Sequence, residues 1–435
     1  MIPKTEPEIG KNDMIGIIVH AFVKMTWDPA ALPMETMEKE PSPSLPSWIS
    51  LFVKFLKLGA TAYGGPAIAG QMKKTFIKEY RWISEEDFNR GLALCQLIPG
   101  ATWVQMAAYV GYRLRGIHGA AAGAAAFVIP SFLFVLALSI PYFRWGDLWF
   151  IQALFRGLGA IVVAIVLDAF LQFGKPHLKN WKMVLIILLS FLGFYLRLNI
   201  LLVFMVSAFA AFLIKPETRK SPLAGIGGNH SSPGGMRKDA LFLVGLAAAL
   251  GILYALCFFA SPTLFYLSLA LSKIGVLSFG GGMTSISLIQ YEVVDRFDWF
   301  TTKELLDGIA MGQVTPGPIM ITAAFLGYKL SGFWGAFAAT LAIFSPAFFI
   351  LSLTVPYYDR LRGFSTIRMA EQGVLASFVG MIGIVLLNFG RTAIVDPPTV
   401  LLAAGAFIAL LKKIDLAFIL IPGAILSILI FGFFL

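Results

Sequence analysis

Phe55-Leu-Lys-Leu-Gly-Ala-Thr-Ala-Tyr-Gly-Gly65 and Leu271-Ser-Lys-Ile-Gly-Val-Leu-Ser-Phe-Gly-Gly281 are two versions of one segment, 216 positions apart. Lys57 aligns with Lys273, Gly59 with Gly275, and Gly64-Gly65 with Gly280-Gly281. Downstream, Trp82-Ile-Ser matches Trp299-Phe-Thr, and Gln96-Leu-Ile-Pro-Gly100 matches Gln313-Val-Thr-Pro-Gly317. Gly111-Tyr112, Gly116, Gly119 and Pro130 recur as Gly327-Tyr328, Gly332, Gly335 and Pro346. Gly157, Ala160 and Gly174 recur as Gly373, Ala376 and Gly390. So many ordered matches identify a tandem duplication, with repeats at 46–214 and 262–435. Between them lie 215–239, a flexible linker rich in Gly, Pro and Ser with five basic residues, and 240–261, an apolar stretch without a counterpart in the first repeat. Residues 1–45 read as a polar cytoplasmic arm; its apolar stretch Met14–Phe22 is too short to span and lacks a cleavage-site pattern.

Composition sets the class. Of 435 residues 58% are hydrophobic and 13% charged, against about 25% charged in soluble domains. No soluble core hides that much apolar surface, so the expected fold is an all-α integral membrane protein with the lipid bilayer as its solvent. The net charge of +10 does not signal nucleic acid, because Lys and Arg sit mainly in loops between apolar stretches. Cys95 and Cys257 lie in apolar context, and His20, His118, His177 and His230 lack ligand spacing, so no disulfide, metal or other cofactor is expected. No Walker-type phosphate loop is present, which argues against direct ATP coupling.

A membrane helix needs about 20 apolar residues, fewer where the bilayer thins. The first repeat offers candidates at 48–68, 91–112, 117–142, 151–174, 182–196 and 198–214, the last two as a tight hairpin. The second offers 263–283, 308–328, 333–356, 370–390, 399–411 and 414–434. With 240–259 this makes about 13 spans, or 10–13 if some elements do not cross. Six spans return the chain to its starting side, and the added one inverts the second repeat. With that parity the N-terminal side collects most loop Lys and Arg, which puts the N-terminus in the cytoplasm. The loop Met72–Arg90, with five basic and four acidic residues, disagrees.

The chemistry is expected at the Pro-Gly motifs. Pro removes a backbone donor and Gly frees the chain, so Gln96, Pro99 and Gly100 in one repeat, and Gln313, Thr315, Pro316 and Gly317 in the other, should break or re-enter. Broken helices at matching places in two repeats point to a transporter's binding site, and a restarted helix presents N–H groups suited to an oxyanion. The plain alternative is a kink in a packed helix. Lys57 and Lys273 sit in apolar helices and are either binding residues or snorkelling cations. Gly64-Gly65 and Gly280-Gly281 permit either close helix packing or an anion nest. Asp168 is the lone carboxylate in the middle of a clear span and a candidate for ion coupling, although position 384 in the second repeat is Ile. Glu86, Asp87, Glu304 and Asp307 read as first-turn residues complementing helix dipoles.

These motifs resemble the chromate ion transporter family in its long form with two fused halves. The resemblance rests on Phe55-Leu-Lys-Leu-Gly with Gly64-Gly65-Pro66, Trp82-Ile-Ser-Glu-Glu, Gln96-Leu-Ile-Pro-Gly and Ala108-Tyr-Val-Gly-Tyr112. In the second half it rests on Phe279-Gly-Gly-Gly282, Trp299, Gly312-Gln-Val-Thr-Pro-Gly-Pro318 and Gly327-Tyr328. It implies antiparallel halves and chromate transport across the cytoplasmic membrane, often as efflux conferring resistance, with some members linked to sulfate. It also implies roles for Lys57, Gly64, Gly65, Gln96, Pro99, Gly100 and their second-half equivalents. Tyr63 replaces the usual Phe, and Ala101 stands where a second proline is common. The expectation is a secondary transporter of chromate or sulfate, driven by protons or a counter-anion and compatible with a homodimer. The rivals are a sulfate permease, an anion channel and a membrane-embedded enzyme, the last needing clustered His, Cys or carboxylates.

Overall fold

The computed structural model describes residues 46–214, 236–357 and 365–432; the arm 1–45 and most of the linker lie outside the described residues. Fifteen helices cover the described chain. In the first repeat these are α1 (Trp48–Thr61), α2 (Gly65–Lys73, extended by a π-helical turn Lys74–Glu79), α3 (Glu85–Leu97), α4 (Thr102–Trp145), α5 (Trp149–Gly174), α6 (Trp181–Tyr195) and α7 (Ile200–Ile214). After α8 (Met236–Ala260), the second repeat has α9 (Pro262–Leu277), α10 (Gly282–Ile289, extended by a π-helical turn Gln290–Arg296) and α11 (Thr302–Val314). It ends with α12 (Thr322–Thr354), α13 (Ser365–Ala393), α14 (Pro397–Leu411) and α15 (Leu416–Phe431). No strand occurs among the described residues.

The starts follow local chemistry. Ser47, Ser84 and Thr301 cap α1, α3 and α11 by accepting from backbone N–H groups three residues on, and Glu304 completes a capping box. The stops correct the expected spans. The segments 48–68 and 263–283 are not single helices: α1 ends at Thr61 and α9 at Leu277, and the chain restarts at Gly65 and Gly282. Gly64, Gly280 and Gly281 have φ of 66°, 80° and 97°, a region that terminates a helix of L-residues.

α4 and α12 are each folded back on themselves. Gly116 (φ 63°) and Gly332 (φ 55°) turn the chain, and the two arms touch at glycines. A Cβ on Gly111 would lie 2.1 Å from the Gly119 carbonyl oxygen, and one on Gly123 would lie 2.7 Å from that of Ala107. In a straight helix, residues 107 and 123 would be roughly 24 Å apart. Gly327 and Gly335 repeat the contact at 2.1 Å.

The repeats are interlocked. α5 packs against α13, α14 and α15, while α13 packs against α6 and α7, so each repeat's terminal helical pair embraces the other's long helix. Gly157 N–H donates to Ser427 Oγ at 2.9 Å, and a Cβ on Gly373 would lie 2.3 Å from the Ser207 carbonyl. The outer faces of α6, α7 and α15 expose Leu189, Met205, Phe209, Phe418 and Ile425. Five helical stretches among the described residues are long and apolar enough to cross a membrane. With so much apolar surface turned outward, the chain is a multi-pass membrane protein.

The glycine contacts make a direct test. Gly327→Ala should lower stability by about 1–3 kcal/mol, because a backbone oxygen occupies the methyl's place. Gly405→Ala on α14, with nothing within 4 Å, should leave it unchanged or slightly raised. Thermal unfolding in detergent measures both, and equal midpoints would contradict the hairpin packing.

Candidate functional site

The site is built where four helices stop. α3 ends at Leu97, passes through Ile98, Pro99 and Gly100 (φ 132°), and resumes as α4 at Thr102. α11 ends at Val314, passes through Thr315, Pro316 and Gly317 (φ 110°), and resumes as a 3-10 turn Ile319–Ile321 leading into α12. Each break is bonded to the other repeat. Gly100 N–H donates to the Ser278 carbonyl at 2.7 Å, and Gly317 N–H donates to the Ala62 carbonyl at 2.9 Å. Ala62 and Ser278 are equivalent positions at the ends of α1 and α9, so the exchange is reciprocal. It satisfies backbone groups that would otherwise be orphaned inside the protein.

Side chains enforce glycine here. A Cβ on Gly317 would lie 1.8 Å from Ser131 Oγ; one on Gly100 would lie 2.5 Å from Gln105 Nε2 and 2.7 Å from Ala347 Cβ. Ser131 and Ala347 are again equivalent. Three helical starts converge beside these crossings: Gly281, capping α10, would bring a Cβ within 3.5 Å of Thr102 Oγ1 at the start of α4, and Gly282's would lie 3.0 Å from Ile319 Cβ. Unpaired N–H groups and positive dipole ends therefore gather at one place.

Buried polar atoms surround it. Gln105 Nε2 donates to the carbonyls of Pro99 (2.8 Å) and Ala347 (3.3 Å), while its Oε1 has no partner among the described residues. Gln313 Nε2 and Ser131 Oγ, on residues 3% and 0% exposed, are likewise without partners there. Thr315 is buried and donates to the Gly312 carbonyl at 3.3 Å. Gln105, Ser131 and Thr102 were not singled out from the sequence. Their counterparts are Thr322, Ala347 and Ile319, so comparing the repeats could not reveal them.

The other candidates stand apart from the crossings. Gln96 is exposed although Gln313 is buried, and Gly64 faces open space whereas Gly280 packs on Phe173 and Leu375. Gly65 opens α2. Lys57 is exposed and makes no ion pair among the described residues. Lys273 instead pairs with the buried carboxylate of Glu292, which Arg296 Nη1 also contacts at 2.9 Å. Thr75 and Phe76 occupy the matching stretch of the first repeat, so that carboxylate has no counterpart there. Asp168 is half-buried on α5 and accepts from Gln172 Nε2 at 2.6 Å. The first-turn acids form ion pairs: Asp87 with Arg113 at 3.1 Å, and Glu304 with Lys329. These tie each broken helix to the hairpin that follows it. A cavity of about 300 Å³ lies elsewhere, lined by Arg197, Tyr291, Asp295, Arg296 and Asn388.

The two lysines should therefore separate by experiment. Glu292→Gln removes the one carboxylate holding Lys273 and Arg296 and should cost about 1–3 kcal/mol, discounted for the partial exposure of both cations. Lys57→Ala should fall within about 0.5 kcal/mol of the parent. A reversed order in detergent unfolding would refute the pairing.

Known proteins can now be set beside this geometry. The family model described as "Chromate transporter" matches residues 49–212 and again 265–429. An uncharacterised transporter of Methanocaldococcus jannaschii is 34% identical over 91% of this chain and 97% of its own length. A chromate transport protein of Cupriavidus metallidurans is 33% identical over 83% of this chain and 87% of its own. A probable chromate transport protein of Synechococcus elongatus is 31% identical over 86% and 93%. No solved structure matches the chain.

Proposed function

The chain belongs to the chromate transporter family, and we propose that it is a secondary active transporter that carries chromate out of the cell across the inner membrane, giving resistance to the anion. The carrying observation is the convergence of the starts of α4, α10 and the 3-10 turn before α12 on the two crossed Pro-Gly breaks. A tetrahedral dianion needs several donors around it, and clustered helix starts supply them without a buried cation. Gly100, Gly281 and Gly317 shape this cradle, with Pro99, Thr315 and Pro316 holding the breaks open, while Gly64, Gly65 and Gly280 end and restart the helices beside it. Gln313 Nε2 and the hydroxyls of Ser131 and Thr102 line its rim. Gln96 and Lys57 stand on the open side as residues that meet the anion first, and Lys273 is held back by Glu292.

Unequal exposure of equal positions supports alternating access. Gln96 and Lys57 are exposed, whereas Gln313 is buried and Lys273 is part-covered where it pairs with Glu292. If the repeats are inverted, exchanging these two arrangements moves the opening from one membrane face to the other. Inversion is supported by the rings of Phe333 and Phe337, which lie 6.1 and 6.5 Å from that of Phe132. The equivalent of Phe132 is residue 348, roughly 16–22 Å farther along that arm, so the arms cross head to tail. In this scheme α8 is the helix that reverses the chain between domains 46–214 and 262–435.

Chromate and sulfate share charge and shape, so sulfate is the competitor to test. Everted vesicles containing the protein should accumulate labelled chromate under an imposed gradient, with excess sulfate competing only weakly. Gly100→Ala and Gly317→Ala should each reduce uptake by about tenfold or more, since even about 1.4 kcal/mol of misfit at the cradle is a tenfold effect. Uptake equal to that of protein-free vesicles would defeat the reading, and full activity in both variants would move the site away from the crossings.

A further inference from the structure

Asp307 is 3% exposed, and its carboxylate accepts one hydrogen bond, from Tyr142 Oη at 2.7 Å. Tyr142 belongs to α4 of the first repeat and Asp307 to α11 of the second, so the bond clasps the two repeats together. The Tyr142 ring is enclosed by Phe143, Phe155 and Phe325, with centroids 5.0, 5.0 and 5.3 Å away. The clasp is therefore packed among aromatic rings, with Asp307 buried and Tyr142 part-exposed.

No cation forms an ion pair with Asp307 among the described residues. On its own helix Asp307 is approached by Lys303, which is exposed, and by Glu304, which is bonded to Lys329 of α12 and to Thr301. From α4 comes Tyr142 and from α5 Phe155; the charged residues of α5 are engaged elsewhere, Arg156 with Asp396 and Asp168 with Gln172, and α15 carries no ionisable residue. Arg391 of α13, and Glu292, Asp295 and Arg296 of the π-helical turn after α10, make no bond to it among the described residues; Arg296 is held by Glu292. Burying a carboxylate with no paired cation costs more than one hydrogen bond from a neutral hydroxyl returns, so the buried group is favoured as the neutral acid.

The first repeat carries Arg90 at this position, also buried and set against Glu86 at 3.8 Å. A guanidinium cannot lose its charge, whereas a carboxyl can. Only one of the two matching sites can bind and release a proton. Asp307 also sits six residues before Gln313 on the helix that ends in the second Pro-Gly break, so a movement of that break pulls on the clasp.

We propose that Asp307 is the proton-carrying carboxyl of this transporter, protonated while clasped by Tyr142 and deprotonated when α11 withdraws from α4. On withdrawal its O–H bond breaks and the proton passes to water at the membrane face then open. This rests on the oxyanion-transport reading, with the proton supplying the drive.

Purified protein in liposomes, with the membrane potential clamped, tests it. A pH difference of about one unit should drive about tenfold chromate accumulation per coupled proton in the parent chain. Asp307→Asn, which mimics the neutral acid, should keep chromate-for-chromate counterflow but lose that accumulation. Tyr142→Phe, which removes the one hydrogen bond to the charged form, should move the midpoint of the pH profile upward. Equal loss of counterflow and accumulation in Asp307→Asn, or an unmoved midpoint in Tyr142→Phe, would overturn the assignment. A separate readout needs no substrate: infrared difference spectra between acid and alkaline pH should show a protonated-carboxyl stretch that Asp307→Asn abolishes. A parent chain that moves no chromate would end the transport reading while leaving the infrared result decisive for the proton; an unchanged stretch in Asp307→Asn would end the proton assignment whatever the flux.

Discussion

Everything in the centre of this protein depends on two backbone hydrogen bonds, Gly100 N–H to Ser278 O and Gly317 N–H to Ala62 O. A helix broken inside a membrane leaves donors and acceptors that lipid cannot satisfy. Here each repeat breaks two helices and uses the stop of one to satisfy the restart of the other, across the repeat boundary. The bonds also dictate composition. Because the Gly317 amide must reach Ala62, its α-carbon lies against Ser131, and no side chain larger than hydrogen fits. The glycines are consequences of the crossing, and the crossing is a consequence of breaking helices without water.

Interlocking follows from the same economy of surface. Neither repeat could keep its broken helices covered alone, since α3 and α11 are short and carry polar first turns. Each break instead meets a surface from the opposite repeat: α5 packs on α11 and Ser131 lies against Gly317, while Ala347 of α12 lies against Gly100. The repeats read as two domains along the chain, but their described residues fold as one body.

Much of this was legible in the sequence, and the reasons for the rest are specific. Membrane class and duplication are visible because lipid demands long apolar runs and because turns demand glycine at fixed places. The hairpins at Gly116 and Gly332 are readable for the same reason. The breaks at Gly64 and Gly280-Gly281 were less plain: a glycine pair serves equally for close packing and for ending a helix, and only φ separates the two. Lys57 and Lys273 look identical in an alignment of the repeats. They differ because Glu292, nineteen residues on from Lys273, turns back toward it through a π-helical turn, a contact no local pattern announces. Ser131 and Gln105 were hidden for the opposite reason, since a rim residue need not match between repeats that enclose a single site.

That last point bears on how a duplicated protein acquires direction. Two identical repeats would make the two exchanged arrangements equal in energy, and an anion would cross equally well either way. The coupled gradient sets the net direction, and differences at matching positions bias which arrangement is occupied. The chain places them beside the breaks: Arg90 against Asp307 at the base of the broken helices, and Thr75 against Glu292 beside the lysines. Between the arms of the Gly-Gly turns and in the backbone bonds of the crossings, the repeats stay alike. Symmetry is retained where the fold must close on itself, and it is broken where charge can bias which closure is favoured.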